Sequence, residues 1–374
     1  MAGIYIHIPF CKQKCSYCNY HFSTNLNAKS EIIDAICKEL SMRKGEIIEN
    51  IETIYFGGGT PSLLENNELE QIFDTIYKNF SIAENPEITL EANPDDLSFN
   101  KIQQLKTLPI NRFSIGVQSF YEEDLKLMNR AHNANEALNA IKLTQDAGFK
   151  NITIDLIYGS QTTSDEIWEK NLQTAINLKV PHISSYVLTI EPKTLLQHQI
   201  EVGKIKDIDE EKQARQFQML IEALTSNDYE HYEISNFGKP NFHSRHNSNY
   251  WNGKSYLGIG PSAHSYNGKE RSWNIENNAI YIKNIKQGIL PNEIETLSLE
   301  DEFNELIMIK LRTSEGLNLT HLKDKFPEEF INDFMEELQI HLLNNNVTIR
   351  DEQLQLTSGG KFLADGIAGS LFRI

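Results

Sequence analysis

Cysteine is scarce in this chain of 374 residues: there are four, and three of them, Cys11, Cys15 and Cys18, lie close together near the start. Long apolar runs are missing too, since no stretch approaches the roughly 18 consecutive apolar residues of a membrane-spanning helix. Residues 1–10 have no basic region and only a short apolar one, so they do not resemble a secretion signal. We therefore expect a cytoplasmic protein, whose reduced thiols are metal ligands rather than a disulfide framework.

Basic residues are outnumbered, because 35 Lys and Arg stand against 52 Asp and Glu, giving a formal net charge of -17. An acidic chain repels phosphate unless it carries a basic face, and no run of Lys and Arg provides one. The charge balance therefore predicts that nucleic acid is not a partner. The hydrophobic share of 40% is ordinary for a soluble globular protein. The length suits one large domain and a smaller one.

The first half of the chain repeats a short β-rich run, a loop and a helical pattern, which predicts right-handed βαβ units and a parallel sheet. Six such units indicate an α/β fold with a partial (β/α)6 barrel or an open curved sheet. A closed eight-unit barrel is the alternative, but two more clear strand–helix pairs are missing. The predicted strands are Ile4–Ile8, Thr53–Phe56, Glu87–Glu91, Arg112–Val117, Ile152–Ile157 and His182–Leu188. The helical patterns include Ser30–Ile48, Glu68–Lys78, Asn135–Asp146 and Asp165–Leu178.

The pattern changes after Asp207, where a helix is followed by an aromatic stretch and a dense loop, His243–Tyr266. Further on, helices followed by a small hairpin predict a C-terminal winged-helix-like α+β module. We place the domains at 1–290 and 291–374, with the boundary near Gly288–Leu297. Such modules often bind DNA, but the acidic balance argues against that here. The elements predicted in this part are the helices Glu210–Thr225, Leu299–Arg312, Asn318–Lys325 and Ile331–Leu343 and the short strands Val347–Arg350 and Leu354–Leu356.

The spacing Cys-x3-Cys-x2-Cys follows directly after the first predicted strand. Three thiolates on one loop can hold three corners of a 4Fe–4S cluster and leave the fourth iron open. The alternative is a zinc site, which needs a fourth protein ligand, and His21 could provide it. Cys37 lies in a helical pattern between apolar residues, and we expect it to pack as a small hydrophobic side chain.

Glycine and polar residues follow the other strands, at the edge where parallel sheets place their ligands. The run Gly57–Pro61 lets the backbone approach a ligand closely. Carboxylates within or beside apolar strands are costly to bury unless something pairs with them. Taken together, the candidate residues of this edge are Gly58, Gly59, Thr60, Glu91, Gln118, Arg130 and Asp155.

These motifs resemble the radical S-adenosylmethionine superfamily, in the branch that holds oxygen-independent coproporphyrinogen III oxidases and heme chaperones. The resemblance runs through the whole chain. It is carried by the segments Tyr5–Cys11, Gly57–Pro61, Glu91–Pro94, Gly116–Phe120, Asn129–Arg130 and Asp155–Gly159, with Tyr17 before Cys18.

The resemblance implies a site for S-adenosylmethionine beside the cluster. In that branch Tyr17 would pack near the adenine and Tyr5 would border the cluster site, although packing within the fold would also explain both. The glycine run would bind the amino group of the methionine moiety, and Arg130 would bind its carboxylate as a planar bidentate donor. The ribose and amino groups would be bound by Glu91, Gln118 and Asp155.

Two departures from the oxidases favour the chaperones. Oxidases of the branch carry a fourth cysteine where this chain has Tyr20, and they carry an N-terminal arm before the cysteine motif, whereas this chain reaches Cys11 almost at once. The segment His246–Trp251 reproduces the His-Asn-x-x-Tyr-Trp motif of the chaperone subgroup. A histidine can bind heme iron and aromatic rings can stack on a macrocycle.

The resemblance therefore predicts a protein that binds heme and transfers it to an acceptor protein, for which a respiratory hemoprotein is one candidate. The heme-site candidates are His246, Tyr250 and Trp251, with His264 and His243 as further possible ligands. A packed loop, in which Trp251 lies in the core and His246 is hydrogen-bonded to the backbone, would also explain the motif. The alternative is an oxygen-independent coproporphyrinogen III dehydrogenase that decarboxylates two propionates by way of a 5′-deoxyadenosyl radical. A third possibility is a scaffold in which the cluster only supports the fold.

Overall fold

The computed structural model describes residues 2–373, which form one large sheet with helices packed against it and a small sheet near the C-terminus. No helix within these residues combines the length and the apolar character needed to cross a bilayer. The strands, in chain order, are β1 (Ala2–Ile8), β2 (Ile51–Gly58), β3 (Ile82–Ala92), β4 (Arg112–Gln118), β5 (Asn151–Tyr158), β6 (His182–Val187), β7 (Glu230–Glu233), β8 (Asn236–Gly238), β9 (Tyr256–Ile259), β10 (His264–Tyr266), β11 (Glu270–Asn274), β12 (Asn292–Thr296), β13 (Leu317–Asn318), β14 (Val347–Arg350) and β15 (Gln353–Leu356).

Most of the longer helices begin at a capping residue, as at Ser164, Asn133 and Ser298, whose side chains accept from backbone N–H groups of the first turn. The helices are α1 (Lys29–Met42), α2 (Asn66–Asn79), α3 (Phe99–Leu105), α4 (Glu122–Leu127), α5 (Ala134–Asp146), α6 (Asp165–Asn177), α7 (Leu195–Glu201), α8 (Glu210–Thr225), α9 (Arg245–Trp251), α10 (Asn278–Lys286), α11 (Leu299–Leu311), α12 (Leu319–Lys325), α13 (Glu328–Leu343), α14 (Ser358–Lys361) and α15 (Ala364–Ser370).

The large sheet has the order β12-β11-β10-β9-β1-β2-β3-β4-β5-β6-β8-β7. Strands β1 to β6 pair in parallel in chain order, as the alternating sequence pattern predicts. Strand β9 adds in parallel beside β1, and the remaining additions at both edges are antiparallel. Since β12 and β7 are the two ends, the sheet does not close on itself within residues 2–373. The prediction of an α/β fold with a partial (β/α)6 barrel is confirmed.

The two faces of the parallel strands differ in chemistry, because successive side chains of a strand point to opposite faces. On β1, Ile4, Ile6 and Ile8 are fully buried in the main hydrophobic core, together with Ile32 and Ile36 of α1. The opposite, concave face carries polar side chains, among them His7, Thr53, Thr89, Ser114, Thr153 and Ser184. A polar concave face is suited to enclose a ligand rather than to fill with apolar side chains.

The segment predicted as a dense loop, His243–Tyr266, is more regular than expected. It contains α9, β9 and the start of the β10–β11 hairpin. The reason is a pairing between two strands that are distant in sequence, since β9 is hydrogen-bonded to β1. Helix α1 also ends at Met42 rather than continuing to Ile48. The short helices α3, α4 and α7 were not predicted, because six or seven residues give little periodic signal.

The C-terminal part has a hydrophobic core of its own, with Phe303, Phe334 and Leu338 at its centre. Helices α11, α12 and α13 pack on the sheet β13-β15-β14, which confirms the predicted winged-helix-like α+β arrangement. Strand β12 follows the predicted boundary and belongs to the large sheet. The division into 1–290 and 291–374 stays a prediction.

Candidate functional site

A cavity of about 740 Å³ opens at the carboxyl ends of the parallel strands. Eleven of the residues predicted from the sequence line it together. They are Cys11, Cys15, Cys18, Tyr17, Gly58, Gly59, Thr60, Glu91, Gln118, Arg130 and Asp155. Tyr5 is not part of the lining. It lies deeper on the concave face, where its ring stacks on that of Tyr55 with 6.1 Å between centroids and its hydroxyl is 3.2 Å from His7 Nδ1.

Backbone hydrogen bonds connect the cysteine loop to two other segments of the chain. The backbone N–H of Cys11 donates to the carbonyl of Ser23 at 3.1 Å, and that of Ser16 donates to the carbonyl of Met128 at 3.0 Å. Two sulfur atoms also receive side-chain donors, because Thr60 Oγ1 donates to Cys11 Sγ at 3.4 Å and Arg130 Nη1 donates to Cys15 Sγ at 3.3 Å. Donors of this kind stabilise thiolates, the form in which cysteine binds metal.

Burial raises the pKa of the Cys11 thiol to about 12, although the hydrogen bond from Thr60 acts in the opposite direction. A half-buried thiol of this kind loses its proton when it coordinates a metal, because the charge of the metal stabilises the thiolate.

The donor set fits a cluster better than a single ion. Among residues 2–373, no group of three or more His, Cys, Asp and Glu side chains is arranged to hold one metal ion. The proposed fourth zinc ligand, His21, has its Nε2 2.8 Å from Asn278 Oδ1. Three thiols that line one open cavity, with His21 hydrogen-bonded to Asn278, are instead what a 4Fe–4S cluster with one open iron requires.

The glycine run holds the cysteine loop as well as lining the cavity. The N–H groups of Gly59 and Thr60 donate to the carbonyls of Ile8 and Phe10 at 2.9 and 2.7 Å. A Cβ at Gly59 would lie 2.5 Å from the Phe10 carbonyl oxygen, and Gly58 has a φ of +102°. Glycine is therefore needed here by the close approach of two backbone segments.

Arg130 is centrally placed between the cysteine loop and the strand ends. Its Nη2 donates to Asn93 Oδ1 at 2.7 Å and to the Gly116 carbonyl at 2.8 Å. Its Nε is buried and has no hydrogen-bond partner within the described chain. Since three of the five N–H donors of the guanidinium are already used by Cys15, Asn93 and Gly116, the buried Nε–H remains for an anion. The buried unpaired donor is the feature that a bound carboxylate would satisfy.

Two carboxyl groups, one on β3 and one on β5, line the cavity. Burial raises the pKa of Glu91 to about 7, and its Oε1 accepts from the Tyr55 hydroxyl at 2.7 Å. Burial also raises the pKa of Asp155 to about 6, and Ser114 Oγ lies 3.4 Å from each of its oxygens. Buried carboxyl groups with few donors are suited to accept from the hydroxyl or amino groups of a ligand.

The segment His246–Trp251 lies elsewhere, at the end of the sheet where the strands begin. Thr53 Oγ1 is 2.8 Å from His246 Nδ1, and the Tyr250 hydroxyl is 2.8 Å from its Nε2. The ring of His246 is 2% exposed and stacks on Tyr55 with 4.9 Å between centroids. Burial lowers the pKa of His246 to about 3. Gly3 makes room for Thr53, because a Cβ there would lie 2.7 Å from Thr53 Oγ1, the atom that is hydrogen-bonded to His246.

None of the predicted heme-site residues lines the cavity. Both ring nitrogens of His246 are hydrogen-bonded in this arrangement, so neither is free to bind iron. Trp251 packs under the Arg312 guanidinium at 5.5 Å. His243 lies 2.8 Å from the Glu230 carboxylate. His264 is the most accessible of the three histidines, and its ring stacks on Trp273.

The cavity also has a wall that sequence reasoning missed. Residues of the C-terminal part and of the β6 end complete it, notably Tyr186, Glu191, Arg312, Lys361, Phe362 and Leu363. Glu191 could have been noticed, since it lies three residues beyond the predicted strand His182–Leu188. The others could not, because nothing in the local sequence indicates that the end of the chain returns to the sheet.

The fold and the cysteine loop define a class of protein, and the comparisons identify it. The family model of the radical SAM superfamily matches residues 5–175, and that of the HemN C-terminal domain matches residues 297–363. The heme chaperone HemW of Lactococcus lactis subsp. lactis (strain IL1403) is 33% identical over 374 residues, with 97% of each chain covered. The heme chaperone HemW of Buchnera aphidicola subsp. Acyrthosiphon pisum (strain APS) is 36% identical over 342 residues, with 88% of each covered. The chain belongs to the radical SAM superfamily and, within it, to the HemW family.

A solved structure agrees on the fold. Coproporphyrinogen III oxidase (HemN) from Escherichia coli, a radical SAM enzyme, superimposes with a TM-score of 0.85, covering 99% of this chain and 90% of that one. At 22% identity this likeness concerns the fold alone. Membership of the superfamily implies a 4Fe–4S cluster and S-adenosylmethionine as cofactors.

Proposed function

We propose that this chain binds heme and transfers it to an acceptor protein, and that it carries a 4Fe–4S cluster and S-adenosylmethionine in the cavity. The observation that supports the heme function most is the 33% identity to a HemW heme chaperone over 97% of both chains. Tyr20 also agrees with the heme function, because oxidases of the branch carry a cysteine at this position. Its side chain lines the cavity and is 71% exposed.

In this proposal Cys11, Cys15 and Cys18 would hold the cluster at the cavity that they line. Arg130 binds the carboxylate of S-adenosylmethionine through its unpaired Nε–H, and Glu91, Gln118 and Asp155 bind its ribose and amino groups. The remaining contacts come from Tyr17, Gly58, Gly59 and Thr60, while Tyr5 supports the site from behind the lining through its packing on Tyr55. One-electron reduction of the cofactor is the chemistry that a bound cluster of this kind supplies.

Replacing Arg130 by Ala should weaken the binding of S-adenosylmethionine, because a charge-assisted pair with the carboxylate is lost. Bonds to charged groups contribute about 1.5–3 kcal/mol, which corresponds to a change in Kd of roughly 10- to 100-fold. Equilibrium dialysis of S-adenosylmethionine against the cluster-loaded protein measures the change in Kd. Iron and sulfide content should be retained, since Arg130 donates to Cys15 Sγ without being a ligand. An unchanged Kd would exclude the carboxylate-binding role.

Hemin should bind with one-to-one stoichiometry and shift the Soret band, and this experiment tests the proposed function. With reductant and S-adenosylmethionine, coproporphyrinogen III should not be converted to protoporphyrinogen IX. Chromatography of the porphyrins after oxidation measures the second outcome. Formation of vinyl groups by the purified protein would overturn the chaperone proposal, and absence of hemin binding would do so as well.

The alternative function is the oxygen-independent coproporphyrinogen III dehydrogenase. One feature keeps it in consideration: beyond the residues assigned to the cofactor, the cavity has a further wall, which includes Phe217 and Phe362 and could accommodate a second ligand. For the heme iron, His246 can serve as a ligand only if its bonds to Thr53 and Tyr250 are broken. If hemin binding is unaffected by His246→Ala, His264 and His243 are the next ligands to test.

A further inference from the structure

The wall of the cavity contributed by the C-terminal part carries two cationic side chains beside apolar ones. Arg312 follows α11, and Lys361 ends α14. Phe362 and Leu363 follow directly, and all four line the cavity. None of them belongs to the set assigned above to the cluster or to S-adenosylmethionine.

Arg312 is held in place but retains a free donor. Its Nη1 forms an ion pair with the carboxylate of Asp365, and its guanidinium lies over the ring of Trp251. Its Nε is buried and has no hydrogen-bond partner within residues 2–373. The side chain is 20% exposed, so it is shielded from bulk water without being cut off from the cavity.

Lys361 has a neutral partner. Its Nζ lies 3.1 Å from His231 Nδ1, while His231 Nε2 is 3.1 Å from the Ile234 carbonyl. Because Nε2 faces a carbonyl, Nδ1 is the nitrogen that accepts from the ammonium group. Within residues 2–373 this half-buried ammonium group is paired only with an imidazole, which leaves its charge uncompensated, and an anion in the cavity would compensate it.

The apolar part of the same wall is continuous. The rings of Phe217 and Phe362 lie 5.9 Å apart, and the ring of Tyr158 lies 5.9 Å from that of Phe217 on the other side. Leu363 is 52% exposed, and Tyr186, which also lines the cavity, is 44% exposed. Exposed apolar side chains beside a cavity are typical of a ligand surface.

We infer that Arg312 and Lys361 bind the carboxylates of a tetrapyrrole whose macrocycle packs against Phe362 and Leu363. The inference rests on the proposed function and adds the residues that recognise the ligand. Heme is flat and apolar, with two propionates on one edge, and this wall offers two cations next to an apolar surface. A small anion would make no use of the apolar part, whereas an uncharged apolar ligand would leave Lys361 without a counter-ion and the Nε–H of Arg312 without an acceptor.

The test uses the cluster-loaded full chain and iron-free protoporphyrin IX as the probe, so that iron ligation plays no part. Fluorescence titration gives the Kd for the wild-type chain and for Arg312→Gln, Lys361→Gln and the double variant. Each single change should weaken binding roughly tenfold, the lower end expected for a charged hydrogen bond. The dimethyl ester of the porphyrin, which lacks both charges, should bind all four proteins alike.

Lys310→Gln is the matched control. Lys310 lies two positions before Arg312, bonds to Asn252 and faces a separate pocket, so its loss of charge should leave the Kd unchanged. Circular dichroism and cluster content check that each variant is folded.

Asp365→Asn distinguishes a role of Arg312 in recognising the porphyrin from a merely structural role. It removes the anion that competes for Arg312, so porphyrin binding should become tighter by roughly threefold or more. If the ion pair served only to hold the C-terminal part in place, Asp365→Asn would weaken binding in parallel with Arg312→Gln. Such a parallel loss of porphyrin affinity would overturn the inference. So would an equal loss of affinity of the variants for the dimethyl ester.

The two proposals fail in different ways. If the wild-type chain binds hemin but the double variant binds protoporphyrin IX as well as the wild type does, the inference is wrong and the heme function stands. If the wild-type chain binds neither hemin nor protoporphyrin IX, the proposed function itself fails.

Discussion

Serine in place of Cys11, Cys15 or Cys18, one at a time, should abolish the cluster. The reconstituted wild-type chain should hold about four irons and four sulfides, and each variant only a small fraction of them. With two thiolates left, the loop cannot hold three corners of a cluster, and no other Cys lines the cavity in the described chain. Iron and sulfide analysis, with the electron paramagnetic resonance signal of the reduced protein, measures the effect.

Cys37→Ser is the matched control, because Cys37 lies on α1 and its Sγ contacts the Gln71 carbonyl of α2 at 3.6 Å. Its position between two helices agrees with the prediction that it packs as a small hydrophobic side chain. The full cluster and its spectrum should persist in this variant. A full cluster in the Cys15→Ser protein, or its loss in Cys37→Ser, would contradict the assignment.

The residues of the cysteine half of the cavity could be predicted because most of them lie at or shortly after the carboxyl end of a strand. Parallel strands bring their carboxyl ends to one edge, so local motifs such as Cys11–Cys18 and Gly57–Pro61 converge without any knowledge of distant contacts. The same logic applies to Glu91 and Gln118, which lie near the ends of β3 and β4, whereas Arg130 follows α4. Their convergence in one cavity agrees with the site predicted from the sequence, while their roles toward a cofactor stay proposals.

The other half could not be predicted, because its residues are distant in sequence and are placed by tertiary packing. Lys361 reaches the cavity because the C-terminal part packs against β7, where it contacts His231. Strand β9 joins the sheet beside β1 for a similar reason. No motif at either position indicates the partner, and only the folded chain shows that the cavity has a second, cationic and apolar wall.

The position of His246 leads to a second large effect, on stability. Replacing His246 by Ala should lower the free energy of unfolding by about 2–4 kcal/mol, because a buried ring is lost and two hydroxyl groups lose their partner. Those hydroxyl groups belong to Thr53 and Tyr250. Urea unfolding of the cluster-loaded protein, followed by circular dichroism, measures the change. The sequence motif left open whether His246 is an iron ligand or a structural residue, and the structure shows its side chain buried and hydrogen-bonded on the concave face.

Two further variants distinguish packing from iron ligation. Tyr250→Phe keeps the ring and removes one hydrogen bond to His246, so it should cost about 1 kcal/mol. His264→Ala, at an exposed position, should change stability by less than about 0.5 kcal/mol. If His246→Ala were as stable as the wild type but altered the heme spectrum, the packing role would be wrong and the ligand role favoured. A less stable variant that binds hemin with an unchanged spectrum would place the iron ligand elsewhere, with the accessible His264 the first to examine.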